Sequence, residues 1–208
     1  MAAKPKPRKP AARGYYDLAA QAVRELLVEK RVISETEILN LLATAAKRGP
    51  QVGARIVAKA WTDQAFKKKL LADGKRALAD IGIPFGEAQL KVVENTPRVH
   101  HLICCSLCSC YPRSILGQPP FWYRNPEFRS RAVREPRKVL KELGVTVPAR
   151  TAVYVHESNA DIRYLVVPQR PAGTGALDEA ALAALVTRDC LVGGAQARAP
   201  GRKPKSRA

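Results

Sequence analysis

Three of the five cysteines in this 208-residue chain fall within six residues, Cys105-Ser106-Leu107-Cys108-Ser109-Cys110, with Cys104 just before them and Tyr111-Pro112-Arg113 just after. Pro112, Gly117, Pro119 and Pro120 forbid long regular structure beyond that point. The fold must therefore present this stretch as a loop, and its thiols are candidates to hold it through an ion.

The spacing limits which ion. The Cys108 sulfur and the Ser109 amide nitrogen close a six-membered chelate ring, the Ser109 and Cys110 nitrogens a five-membered one, and the Cys110 nitrogen and sulfur another. A Cys-x-Cys tripeptide can thus wrap a square plane of two sulfurs and two deprotonated amides. Cys105, three residues earlier, reaches an axial position and leaves a sixth site open. Donors this strong suit low-spin trivalent cobalt or iron better than zinc, which prefers a tetrahedron. Three other readings stay open on spacing alone. A structural zinc site would want a fourth ligand, for which His100 and His101 are nearby. A Cys-x-x-Cys redox pair would normally open a helix, which Pro112 opposes. A disulfide would want a secretory context, and no signal segment is apparent.

The formal net charge of +18 suggests a polyanionic partner until it is located. Residues 1–13 carry Lys4, Lys6, Arg8, Lys9 and Arg13, and residues 195–208 carry Arg198, Arg202, Lys203, Lys205 and Arg207, with no acid in either segment. Ten of the eighteen surplus charges lie in these Pro/Ala/Gly-rich ends. Such composition predicts disordered basic tails over 1–14 and 195–208. Aromatic residues form 6% of the chain and are not interleaved with the basic ends, so no stacking platform for nucleic acid is present. No stretch approaches the roughly 18 apolar residues of a membrane span, and a cytoplasmic protein is expected.

Between the tails, Leu18, Ala22, Val23, Leu26 and Leu27 recur at helical spacing. Ser34 and Glu37 form a capping box before Ile38, Leu41 and Leu42, and Pro50 and Gly53 are expected to end that helix. Residues 54–61 and 63–78 read as two further helices with Thr62 capping the second. Residues 15–84 thus read as helical. After Pro84, residues 90–93, 99–104, 152–156 and 162–167 read as strands, the last two separated by a turn over 157–161. Residues 124–144 read as short helices, and a final helix runs from an Asp178 cap to about residue 188. The fold class is α+β: a helical arm, then a mixed sheet with flanking helices and a metal-claw loop, the domain spanning 85–194.

The run Val92–Gly117, VVENTPRVHHLICCSLCSCYPRSILG, resembles the metal-binding subunit of the nitrile hydratase family, the alpha subunit of nitrile hydratases and the gamma subunit of thiocyanate hydrolase. The resemblance takes in residues 56–61, Trp122-Tyr123-Arg124, residues 129–131 and 137–140, Arg163-Tyr164, residues 168–174 and 187–190, and covers roughly 20–194. It implies that the front helices wrap a partner subunit. It also implies ligation of Co(III), with Fe(III) the alternative, by Cys105, by Cys108 as a sulfinate, by the Ser109 amide and by Cys110 as a sulfenate with a catalytic role. One or two different subunits would supply arginines to the oxygenated sulfurs, and an activator would load the metal.

The family's cobalt members carry Thr after the first cysteine and Tyr after the last, its iron members Ser and Thr. Ser106 and Tyr111 are one mark of each, and the downstream match favours cobalt. Most nitrile hydratases have Trp-Pro where this chain has Arg113-Ser114; Arg113 resembles the thiocyanate hydrolase arrangement. It is the candidate substrate-binding residue, for thiocyanate or for a polar heterocyclic nitrile, with a salt bridge to a partner chain the plainer alternative. Arg163 is a candidate to stand behind the claw by its position in the same resemblance, with a surface strand arginine the plainer alternative.

Overall fold

Capping chemistry sets the helix boundaries more finely than periodicity does. The computed structural model describes residues 14–108 and 110–201. Within it α1 spans Tyr15–Glu29 and α2 spans Glu35–Ala46. The expected capping box precedes α2, with Ser34 N donating to Glu37 at 2.7 Å and Glu37 N donating to Ser34 Oγ at 3.2 Å. Pro50 opens a helix here rather than closing one: α3 runs Pro50–Thr62 and Gly53 lies inside it. A side chain at Gly53 would collide with Leu116 and Leu191, so the glycine serves close packing and not helix termination. The cap expected at Thr62 belongs to Asp63, which accepts from Phe66 N at 2.8 Å. Asp73 repeats the device, accepting from Arg76 N at 3.0 Å. One expected helix over 63–78 therefore becomes α4 (Gln64–Ala72) and α5 (Gly74–Asp80).

The strands are β1 (Gln89–Glu94), β2 (Val99–Cys104), β3 (Ala152–Glu157) and β4 (Ile162–Val167). The expected α+β class is observed, and among the described residues its strands form two parallel pairs, β1 with β4 and β2 with β3. Residues 158–161 carry the chain from one pair to the other instead of closing a hairpin, with Asn159 Oδ1 accepting from Asp161 N and Ile162 N. Parallel strands need a long crossover. Here the β2 to β3 crossover holds the claw, α6 (Arg113–Leu116), α7 (Phe121–Arg124), α8 (Pro126–Arg134) and α9 (Pro136–Glu142). After β4 come α10 (Glu179–Ala184), capped by Asp178 but shorter than expected, and a 3-10 turn over Asp189–Val192.

The chain divides into two units, one ending at Ala46 and one beginning at Lys47. In the first, α1 buries no residue, and Leu18, Val23, Leu26, Leu39, Leu41 and Leu42 are all exposed. In the second, α3 to α5 join the main core through Ile56, Val57, Trp61, Leu70 and Leu78, packed with Leu165, Val166 and Leu191. Residue 84, the expected boundary, lies inside this unit, because α3 to α5 bury apolar faces in the same core as β1 and β4. Ala195 and Ala197 also pack on that core, and Arg198 N donates to Leu185 O at 2.9 Å, in a segment expected to be tail. Residues 1–13 and 202–208 of the predicted tails lie outside the described residues. No described helix is long and apolar enough to cross a membrane.

Candidate metal centre

Strand β2 delivers the claw because its alternate residues serve two cores. Leu102 and Cys104 enter a smaller core with Phe128, Ala132 and Leu140, while Ile103 enters the main one. A strand held on both faces has one register. Its ladder closes with Ser158 N donating to Cys104 O at 2.8 Å, and the chain then leaves the sheet as the cysteine loop.

Cys105 is buried, Cys110 half-buried and Cys108 exposed. The Cys105 and Cys108 sulfurs are 3.4 Å apart, the Cys108 and Cys110 sulfurs 3.1 Å, and all three ligand atoms lie within 4.8 Å of one another. Two sulfurs bonded to one ion at ~2.3 Å lie about 3.3 Å apart at a right angle and about 3.8 Å apart at the tetrahedral angle. Both short separations match the right angle. No histidine or carboxylate among the described residues joins this cluster. His100 is engaged with Gly193 O at 2.8 Å and His101 with His156 at 2.8 Å, so neither completes a zinc tetrahedron. The donor set therefore fits an ion of square or octahedral preference. Ser109, expected to contribute its amide, lies outside the described residues.

Four contacts fix the loop. Ser106 donates from its amide (3.2 Å) and its hydroxyl to Glu157 Oε1. Cys108 N donates to the Cys105 sulfur at 3.3 Å. Arg129 Nη1 donates to Cys108 O at 2.5 Å, and Tyr123 Oη to Cys110 O at 2.7 Å. Beyond the loop, Ser114 donates to Glu87 from its amide at 3.1 Å and from its hydroxyl, while Ile115 and Leu116 are buried. Sequence reasoning missed Glu87, Tyr123, Arg129 and Glu157 as parts of this site. Glu157 lies 51 positions from Ser106, and no local pattern marks it.

Burial pushes the Cys110 thiol up to about 12, helped by its hydrogen bond with Cys108 and by Cys105; the Arg163 charge opposes this. A cation among the sulfurs acts the same way as Arg163 and far more strongly, since a coordinating thiol gives up its proton outright. Cys104 is also pushed up to about 12, chiefly by burial, and its place in the smaller core separates it from the three claw thiols. Arg163 lies on β4, and its charge favours the Cys110 thiolate. Arg113, the candidate for substrate, opens α6 with an exposed side chain that has no hydrogen-bond or ion-pair partner among the described residues. Leu107, within the cysteine loop, is 87% exposed, so this chain leaves that part of the claw uncovered. A cavity of about 440 Å³ lies at the opposite end of β2, lined by Asn95, His100, Arg150 and Arg170, and contains no claw residue.

Comparison with known proteins points the same way. A protein-family model described as nitrile hydratase, alpha chain, matches residues 14–195. The chain is 44% identical over 183 residues to the cobalt-containing nitrile hydratase subunit alpha of Pseudonocardia thermophila, covering 86% of this chain and 89% of that one. It is 41% identical over 190 residues to thiocyanate hydrolase subunit gamma of Thiobacillus thioparus, covering 86% and 78%. Among solved structures, a double mutant of the Fe-type nitrile hydratase from Comamonas testosteroni Ni1 superposes with a TM-score of 0.83 at 40% identity, covering 93% and 95% of the two chains. A recombinant thiocyanate hydrolase with partially modified cobalt centres superposes with a TM-score of 0.83 at 38% identity, covering 95% and 98%.

Proposed function

This chain belongs to the nitrile hydratase alpha-chain family, and from that membership we propose that it is the metal-bearing catalytic subunit of a cobalt nitrile hydratase, hydrating a nitrile to its amide. The observation that carries the reading is the trio of sulfurs on Cys105, Cys108 and Cys110, with separations of 3.4 and 3.1 Å that suit right angles at one ion. In this reading the three sulfurs and the amide nitrogens of Ser109 and Cys110 hold the metal. A trivalent ion so bound supplies Lewis acidity toward a nitrile or a water molecule.

The chain's own residues set the rest. Cys105, buried at the base, anchors the loop to β2. Glu157 holds the Ser106 end, and Tyr123 the Cys110 end. Cys108 as sulfinate and Cys110 as sulfenate follow the oxidation ladder open to accessible thiolates. The Cys110 oxygen then stands as base or nucleophile beside the substrate. Cobalt is favoured over iron by the cobalt-containing relatives, with the Fe-type structural neighbour supporting iron as the alternative. Exposed leucines on α1 and α2 support an arm laid against one or two partner subunits, which would bring arginines to the open claw. Metal loading by an activator and a cytoplasmic location belong to the same proposal.

A second reading, the gamma subunit of thiocyanate hydrolase, is favoured by Arg113. Its exposed guanidinium, three residues from Cys110, suits an anionic substrate. One assay decides between them: the assembled cobalt-loaded complex is given nitriles and thiocyanate separately. Amide from nitriles supports the first reading, and ammonia with carbonyl sulfide from thiocyanate the second. One zinc per chain, with unmodified cysteines by mass spectrometry, would instead make this a non-catalytic metal-thiolate interaction protein.

A further inference from the structure

The Nη1 of Arg129 meets the Cys108 carbonyl oxygen at 2.5 Å. That oxygen belongs to the amide joining Cys108 to Ser109, the peptide unit at the centre of the Cys-Ser-Cys tripeptide. Tyr123 acts differently: the carbonyl it engages, on Cys110, belongs to the amide joining Cys110 to Tyr111, outside the tripeptide.

Nothing among the described residues neutralises Arg129. Its neighbour Arg131, on the same helix, takes Glu127 at 3.6 Å, Glu135 at 3.3 Å and Glu142 at 2.5 Å, and so occupies the nearby acids. Arg129 has no carboxylate within ion-pair distance among the described residues, and its Nε is buried without a hydrogen-bond partner. The side chain is half-buried, and its Nε is shut away from solvent without a partner, which is costly; negative charge on the peptide that its Nη1 meets offsets that cost.

Resting on the reading of the claw given above, we propose that Arg129 is a positioning residue for the metal centre, one that compensates the negative charge of the Cys108–Ser109 amide once its nitrogen serves as a ligand. That charge is shared between the amide nitrogen and the carbonyl oxygen, and a cation hydrogen-bonded to the oxygen stabilises it. Bonds with charge on both partners are shorter and about twice as strong as neutral ones. A point charge on a flexible stem reproduces the attraction but not the planar donor. Groups that hold a ligand from behind commonly change metal affinity by about 10- to 100-fold when removed.

The test uses the assembled complex produced with cobalt, as wild type, Arg129→Gln, Arg129→Lys and Arg134→Ala. Arg134, whose Nη2 donates to Ser130 Oγ, is the same-helix control. Cobalt per chain, the visible absorption of the metal centre and the rate of cobalt release to a chelator are read, with circular dichroism as the check on folding. Arg129→Gln is expected to release cobalt about 10- to 100-fold faster and to shift the absorption band. Arg129→Lys is expected to recover most of the retention, and Arg134→Ala to match wild type. A folded Gln variant with wild-type release and spectrum overturns the proposal, as does a Lys variant no better than Gln. Should the Gln chain not fold, Arg129→Met takes its place as the neutral variant under the same criteria. Wild-type complex that holds no cobalt overturns the claw reading itself, and this proposal with it; normal wild type with an unaltered neutral variant overturns this proposal alone.

Discussion

Ser106 and Glu157 are joined twice, the amide and the hydroxyl of the serine both meeting the same carboxylate oxygen, with the amide at 3.2 Å. Glu157 is the last residue of β3, and β3 runs in register with β2, so Cys104 pairs with Glu157. The strand pairing thereby fixes the start of the claw. Glu157→Ala removes that anchor while leaving the ladder intact. We expect metal retention to fall about 10-fold or more with little change in folding. Cobalt content and thermal midpoint check this together; unchanged cobalt retention would mean the loop needs no such tether.

Cys108 stands between the other two sulfurs, 3.4 Å from one and 3.1 Å from the other. Its replacement by Ala leaves Cys105 and Cys110 without the sulfur that lies between them. Both metal retention and activity are expected to disappear, read by elemental analysis and turnover on the same sample. A Cys108→Ala complex with full activity would refute its assignment as a ligand.

Gly193 has φ of +78°, and a side chain there would run into the carbonyl oxygen of His101. Its own carbonyl meets His100 Nε2 at 2.8 Å, tying the 3-10 turn to β2. Gly193→Ala combines a left-handed backbone with a steric clash and is expected to destabilise the fold by about 3 kcal/mol or more. Urea denaturation measures it. A shift of only a few tenths would show that the backbone relaxes freely at this point.

Three histidines are expected to make the fold acid-sensitive. His101 is pushed down to about 4, first by burial and then by the charges of His156 and His100; burial lowers His100 and His156 as well. His101 and His156 share a 2.8 Å hydrogen bond, flanked by the rings of Tyr154 and Tyr164. Since the native state holds these rings neutral, the unfolded chain binds more protons once pH drops below the ordinary value of 6.5. The stabilisation is complete above that value and is lost as pH falls toward 4. His156→Phe should flatten this loss relative to wild type in denaturation curves taken from pH 7.5 to 4. Identical pH dependence in the two proteins would remove His156 from the account.

Much of this protein follows from its sequence alone. The chemistry proposed for the claw is local, because chelate rings of five and six members depend only on residues that are neighbours along the chain, Cys108, Ser109 and Cys110. The capping box of Ser34 and Glu37 and the strand 99–104 are local for the same reason: hydrogen bonds over three residues and alternation over two need no distant partner. What only the tertiary structure decided is which distant residues meet. That β4 finds its parallel partner in β1, and β3 in β2, carries no sequence signal of its own. The Gly53 position reads as a helix stop until Leu116 and Leu191 are seen filling the space beside it. Glu157 and Arg129 reach the claw from 51 and 21 residues away, distances at which register and packing select the contact. The proposed ligands lie within six residues of the sequence, while the distant groups that fix their loop come together only in the folded chain.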